Sequence, residues 1–134
     1  MIAKLRALIA ASLIMIIVDL IWLGGFADSF YSAQLGALRA QEVVVGAAVL
    51  FYVQYVAVVA FFGAIPAPTV GRAAARGALL GWFAYSTYEL TNWAVIEGWP
   101  KGLVVVDIVW GVLLTAVVAA CAKWAHELGG PASS

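Results

Sequence analysis

The sequence predicts an all-α membrane protein, an antiparallel bundle of four transmembrane helices with both termini on the cytoplasmic side. Three observations carry this prediction. Of the 134 residues, 66% are apolar and 10% charged, against roughly half and a quarter in soluble globular domains. A soluble chain this small buries only part of its surface and could not hide so much apolar area; lipid as solvent removes the difficulty. Four apolar stretches run from about Leu5 to Phe26, Val43 to Ile65, Ala74 to Ile96 and Gly102 to Trp124, each close to the roughly 20 residues that cross a bilayer. Finally, the basic residues sort by side. Lys4, Arg6, Arg72, Arg76 and Lys123 fall at one end of the spans, and Arg39 and Lys101 at the other; cytoplasmic loops carry the Lys/Arg excess.

Lys4 and Arg6 before an apolar run resemble a secretory signal. The run continues from Ala7 to Ile21 through Asp19 and lacks a small-x-small cleavage site, so it is read as a first membrane helix. Between the first two spans, Ala27 to Glu42 carries Phe30, Tyr31, Leu35 and Leu38 at helical spacing, which predicts a short interfacial amphipathic helix. The second connection, Pro66 to Arg72, is a proline-rich break. The third, Glu97-Gly-Trp-Pro-Lys101, places Pro100 at a helix start. Residues 1–128 are expected to form a single transmembrane domain, and 129–134 a disordered tail. A short echo joins Asp19-Leu-Ile-Trp22 to Glu89-Leu-Thr-Asn-Trp93. It fits a duplicated helix hairpin, with chance as the competing account.

Charge and composition exclude several functions. Net charge is zero, which gives no basis for a nucleic-acid partner. One cysteine, Cys121, and one histidine, His126, exclude an internal disulfide framework and a Cys- or His-rich metal site. Cys121 is read as a small apolar packer and His126 as interfacial. No cofactor and no resident metal are expected.

The chemistry lies in the intramembrane acids Asp19, Glu89 and Asp107. Each costs about 2.5–3.5 kcal/mol near a helix centre on insertion scales. At 1.5 Å rise per residue, all three fall roughly 8–11 Å below the outer helix ends. Matched depth predicts one shared site. Trp82, Tyr85, Ser86, Glu89, Asn92 and Trp93 recur at three- and four-residue steps, and so do Ser12, Met15, Asp19, Trp22 and Phe26. Asp107, Trp110 and Gly111 fall together, and Gln54 is the polar member of the second span. The predicted site is a polar pocket opening toward the outer face, walled by Trp22, Trp93 and Trp110, with Asn92, Tyr85 and Gln54 as its neutral polar groups. With no intramembrane Lys or Arg, clustered acids cannot all be ionised cheaply; a shared proton or a cationic ligand would compensate. The competing reading is that polar side chains only glue helices together. Trp99, Trp124 and Trp82 are read as interfacial belt residues, and belt is also the competing reading of Trp22, Trp93 and Trp110. Gly77-Ala-Leu-Leu-Gly81 permits close helix approach.

Asp19-Leu-Ile-Trp22-Leu-Gly, Tyr88-Glu89-Leu-Thr-Asn92, and Gly98-Trp-Pro100 through Asp107-Ile-Val-Trp110-Gly111 resemble a family of small bacterial predicted membrane proteins, domain of unknown function 2177. The resemblance spans nearly the whole chain. Glu89 stands where the family pattern Tyr-Asp-x-Thr-Asn has aspartate. The resemblance implies a bacterial inner-membrane location and supplies no mechanism.

The leading expectation is a protein that binds or transports a small molecule, ion or proton at Asp19, Glu89 and Asp107. Four spans make a thin wall for a pathway, so transport would call for a homodimer. Two alternatives stay open. One is a membrane-embedded enzyme acting on lipid or another apolar substrate, its carboxylates split into acid and base; no nucleophile–base pair supports it, and the reading leans away from an enzyme. The other is an accessory subunit or scaffold of a membrane complex.

Overall fold

A computed structural model describes residues 1–128 and 130; the tail expected to be disordered otherwise lies outside the described residues. Every element is helical, with no strand among the described residues. α1 spans Ile2–Trp22 and passes through a π-helical turn, Leu23–Ala27, into α2, Asp28–Leu35, and a 3₁₀ turn, Gly36–Leu38. α3 spans Val45–Val58 and ends in a second π-helical turn, Val59–Ala64; α4 spans Val70–Val95 and α5 Lys101–Glu127.

The segment expected to lie apart as an interfacial helix is joined to the first span without a break. Leu23 and Asp28 keep right-handed helical dihedrals on either side of the π turn, and nothing crowds Gly24 or Gly25 there. The helix therefore widens instead of ending, a habit of π turns. It stops at Gly36, whose φ of 51° suits a residue without Cβ. Arg39 pairs with Asp28 at 2.5 Å across this end, with both side chains substantially exposed.

Three helical stretches are long and apolar enough to cross a membrane: Ile2–Leu38, Val45–Ala64 and Lys101–Glu127. α4 has 26 residues and so has the length. However, Arg72, Arg76, Ser86, Thr87, Glu89, Thr91 and Asn92 dilute its apolar character. Thr69 caps it, its Oγ1 accepting from the Arg72 amide at 3.2 Å. Gly98, at φ 78°, turns the chain between α4 and α5.

α5 is the central element, with α1 and α4 packed on it. α4 comes closest. A Cβ placed on Gly81 would overlap the Gly111 carbonyl, one on Gly77 would meet the Thr115 carbonyl, and one on Gly111 would enter the Tyr85 ring. The Gly77–Gly81 pattern thus does what its spacing predicts. α3 leans on α1, and its π turn touches α4 and α5; beyond that turn the α3 and α4 backbones draw apart. The core joins Ala7, Ala11 and Met15 to Tyr55, Val56 and Val59 and to Leu114, Val118 and Ala122. Large apolar side chains, among them Leu13, Ile17, Leu50, Val53, Val109 and Leu113, face outward, the arrangement a lipid solvent allows. Gln34 of α2 lies over Gly102 at the start of α5, so α2 and the α4–α5 turn share one end of the domain, here called distal.

Candidate functional site

Each of the three acids belongs to a buried stripe, and Asp19 and Glu89 are the distal members of theirs. On α1 the buried residues are Ala7, Ala11, Met15 and Asp19. On α4 they are Ala73, Gly77, Gly81, Ser86 and Glu89; on α5 the stripe includes Asp107, Gly111, Thr115 and Ala119. Helical three- and four-step spacing carries the acids to the same inner faces that pack the core. Glu89 is wholly buried, and Asp19 and Asp107 are nearly so.

Aromatic donors serve all three. The Tyr52 hydroxyl donates to Asp19 Oδ2. The Tyr31 hydroxyl donates to Asp107 Oδ1 at 2.5 Å and accepts from Trp22 Nε1 at 3.3 Å. Trp99 Nε1 donates to Glu89 Oε2 at 2.8 Å. The Glu89 and Asp107 carboxyls are neighbours, close enough to influence each other. Glu89 Oε1 is buried and receives no donor. Neighbouring carboxylates cannot satisfy each other's acceptors; a proton shared by the two groups, or a cation beside them, would. Below the pair, the Tyr55 hydroxyl meets Thr115 Oγ1 at 2.7 Å, and Thr115 donates to the Gly111 carbonyl at 2.7 Å.

No cation answers these charges from within the chain. Among the described residues the ion pairs are Arg39 with Asp28 and Lys123 with Glu127. Nor do three acidic, histidine or cysteine side chains converge as metal ligands among the described residues. Asp19 is held by Tyr52 and stands outside the Glu89–Asp107 pair, although Tyr31 and Tyr85 lie within electrostatic reach of both Asp19 and Asp107. A cleft of about 370 Å³ runs between α3 and α4, lined by Phe51, Ala84, Tyr85, Tyr88 and Asp107.

The expected wall of three tryptophans is rearranged. Trp22 and Trp110 stack at 4.2 Å with 11° between their planes, beside Tyr31. Trp93 is instead 45% exposed, with Lys101 Nζ 5.7 Å from its ring centre. Its place is taken by Trp99, read from sequence as a belt residue. The reversal at Gly98 folds Trp99 back onto Glu89, a contact that helical spacing within α4 cannot reveal. Trp82, expected on the same face as Glu89, is 48% exposed. Asn92 sits beside the Tyr88 hydroxyl and is not bonded to an acid. Gln54 is exposed, because the inner face of α3 is set by Tyr55, Val56 and Val59. A two-residue step from Tyr52 turns Gln54 through about 200°, away from that face. Tyr52 and Tyr55 were findable from that spacing; Tyr31 was visible only as part of an apolar face.

A family model described as a predicted membrane protein, DUF2177, matches residues 4–124. The chain belongs to that family. The match covers all three acids and every aromatic side chain that holds them, so the site is part of the DUF2177 domain. No curated protein matches the chain, and no solved structure does.

Proposed function

We propose that this DUF2177 protein binds a proton or a cation at the Glu89–Asp107 pair and exchanges one for the other, as a membrane carrier or sensor would. The observation that carries the reading is Glu89 Oε1, buried and without a donor, on a carboxyl that neighbours a second one, Asp107. An unpaired buried acceptor is costly, and two adjacent ionised carboxylates in low dielectric are costlier. Both costs disappear when one positive charge, either a proton or a cation, sits between the oxygens.

The proposal includes a topology. α4 joins the three apolar stretches as a fourth span in an antiparallel bundle, with Ser86 and Glu89 buried against its neighbours, the Thr87 and Thr91 hydroxyls bonded to carbonyls of their own helix, and its ends set by Thr69 and the Gly98 turn. Lys4, Arg6, Arg72, Arg76 and Lys123 then mark the cytoplasmic side of a bacterial inner membrane, and the acid pair lies in the outer half. Asp19, satisfied by Tyr52, is a structural contact in this reading.

The test compares wild type with Glu89→Gln and Asp107→Asn in lipid nanodiscs. Thermal stability and cation binding are followed over about pH 5–9, a span wide enough for a strongly perturbed carboxylate. Wild type should show a pH-dependent response that both variants flatten while remaining folded. Superimposable profiles for all three would leave the acids as helix glue.

A further inference from the structure

We infer that the ligand of this site is an amphipathic organic monocation, an amine with an apolar body, and that it enters sideways from the lipid through the α3–α4 cleft. The inference rests on the proposed role of the Glu89–Asp107 pair and specifies what that pair receives.

The cleft exists because the α3 and α4 backbones diverge beyond the Val59–Ala64 turn. Phe51 and Ala84 line it, and their chain neighbours Leu50 and Phe83 face outward. An entrant from that direction comes out of hydrocarbon. The distal approach is roofed: Trp99 covers Glu89 and meets Tyr88 edge-on at 5.9 Å, Tyr31 covers Asp107, and Gln34 lies over Gly102.

The lining selects the class of ligand. Phe51, Ala84, Tyr85 and Tyr88 present mainly ring and methyl surface, and Asp107 is the one charged group among them. Behind it, Glu89 Oε1 is wholly buried and unpartnered. A monocation that displaces the shared proton leaves the total charge of the pair unchanged, as a divalent ion would not. Hard metal ions take six or more oxygens as a rule, and the cleft does not supply them. A protonated or quaternary amine needs only one carboxylate and aromatic faces. A volume of about 370 Å³ falls within the usual range for drug-sized ligands.

The probe is ethidium, a planar aromatic monocation, titrated by fluorescence against the full chain in nanodiscs of neutral lipid. Saturable binding is expected, competed by decyltrimethylammonium and not by decanol or sodium. Asp107→Asn should weaken binding by at least about tenfold, as loss of one partner in a buried charge pair does. Ala84→Trp, which fills the cleft from an exposed helix position, should weaken it comparably. Leu79→Trp, on the exposed face of α4 outside the cleft, should leave it unchanged, and a folded Leu79→Trp protein guards against a general effect of added bulk. Binding that ignores Ala84→Trp, competition by sodium as strong as by the amine, or no saturable binding overturns the inference. If, in that case, Glu89→Gln still flattens the pH response, the acid pair keeps its role and only the amine and its route are lost. If the pH response is also unmoved by the pair variants, both readings fall.

Discussion

Tyr31 shows how much of this site depends on α2, which the sequence sets apart from the first span. Its hydroxyl stands between Trp22 and Asp107, accepting from one and donating to the other. Tyr31→Phe removes both bonds and leaves a buried carboxylate oxygen short of a donor, at a cost of about 1–3 kcal/mol. A fall in thermal midpoint should accompany loosening of the Trp22–Trp110 stack, read as a change in tryptophan fluorescence; an unchanged midpoint would show that Tyr31 is not structurally coupled to Asp107. Trp99→Phe offers the complementary test, since it keeps an aromatic ring and deletes the Glu89 donor. Its expected signature is a shifted pH profile with the fold retained, and a profile matching wild type would deny Trp99 a role at the acid. At this scale the acids were legible because charge in an apolar helix is conspicuous. Their partners were not, because Tyr31, Tyr52 and Trp99 reach them from other elements, and a tyrosine reads alike as core, belt or donor.

Among the elements, the α4–α5 contact is the tightest, and it is made of absences. Gly77, Gly81 and Gly111 let backbone meet backbone and ring. Gly81→Ala would push a methyl into the Gly111 carbonyl and is expected to destabilise the protein by about 1–3 kcal/mol. Gly46→Ala, in a helical position with open space around it, should instead be neutral or stabilising by up to about 1 kcal/mol. Denaturation in detergent compares the two; equal effects would mean that the close approach is not the source of stability. The Gly77–Gly81 spacing announced half of this contact. Gly111 was noted only as a neighbour of Asp107, since sequence does not say which helix a small residue will face. The passage from α1 into α2 was misread for a related reason. Polar residues after Phe26 signal an exit from lipid but not a break in the helix, and the π turn keeps the rod continuous.

For the whole molecule, the all-helical architecture followed from composition and from stretch lengths, and the structure agrees in every described element. Sidedness rests on the basic residues alone. A reporter active only in the cytoplasm should work after Ser134 or when inserted after Arg72, and should fail when inserted into the full chain after Gln41 or Gly98. Activity at Gln41 and Gly98 would invert the domain and turn the acid pair toward the cytoplasm.

The diluted composition of α4 also bears on how the protein is made. A helix with Glu89, Asn92, Ser86, Thr87 and Thr91 in its distal half gains little from hydrocarbon alone. What it gains comes from α5, whose Gly111 and Thr115 receive its glycines and whose Asp107 meets its acid. Only the short turn at 96–100 separates the two. If α4 is the fourth span proposed above, it emerges during synthesis before the helix that packs against it, and its partition into the bilayer should wait for α5 to follow. A nascent chain halted at Gly98 should be found poised at the insertion machinery or split between the two sides, and one carried through Trp124 should be fully integrated. On that proposal the hairpin, not the single helix, is the unit that the membrane accepts.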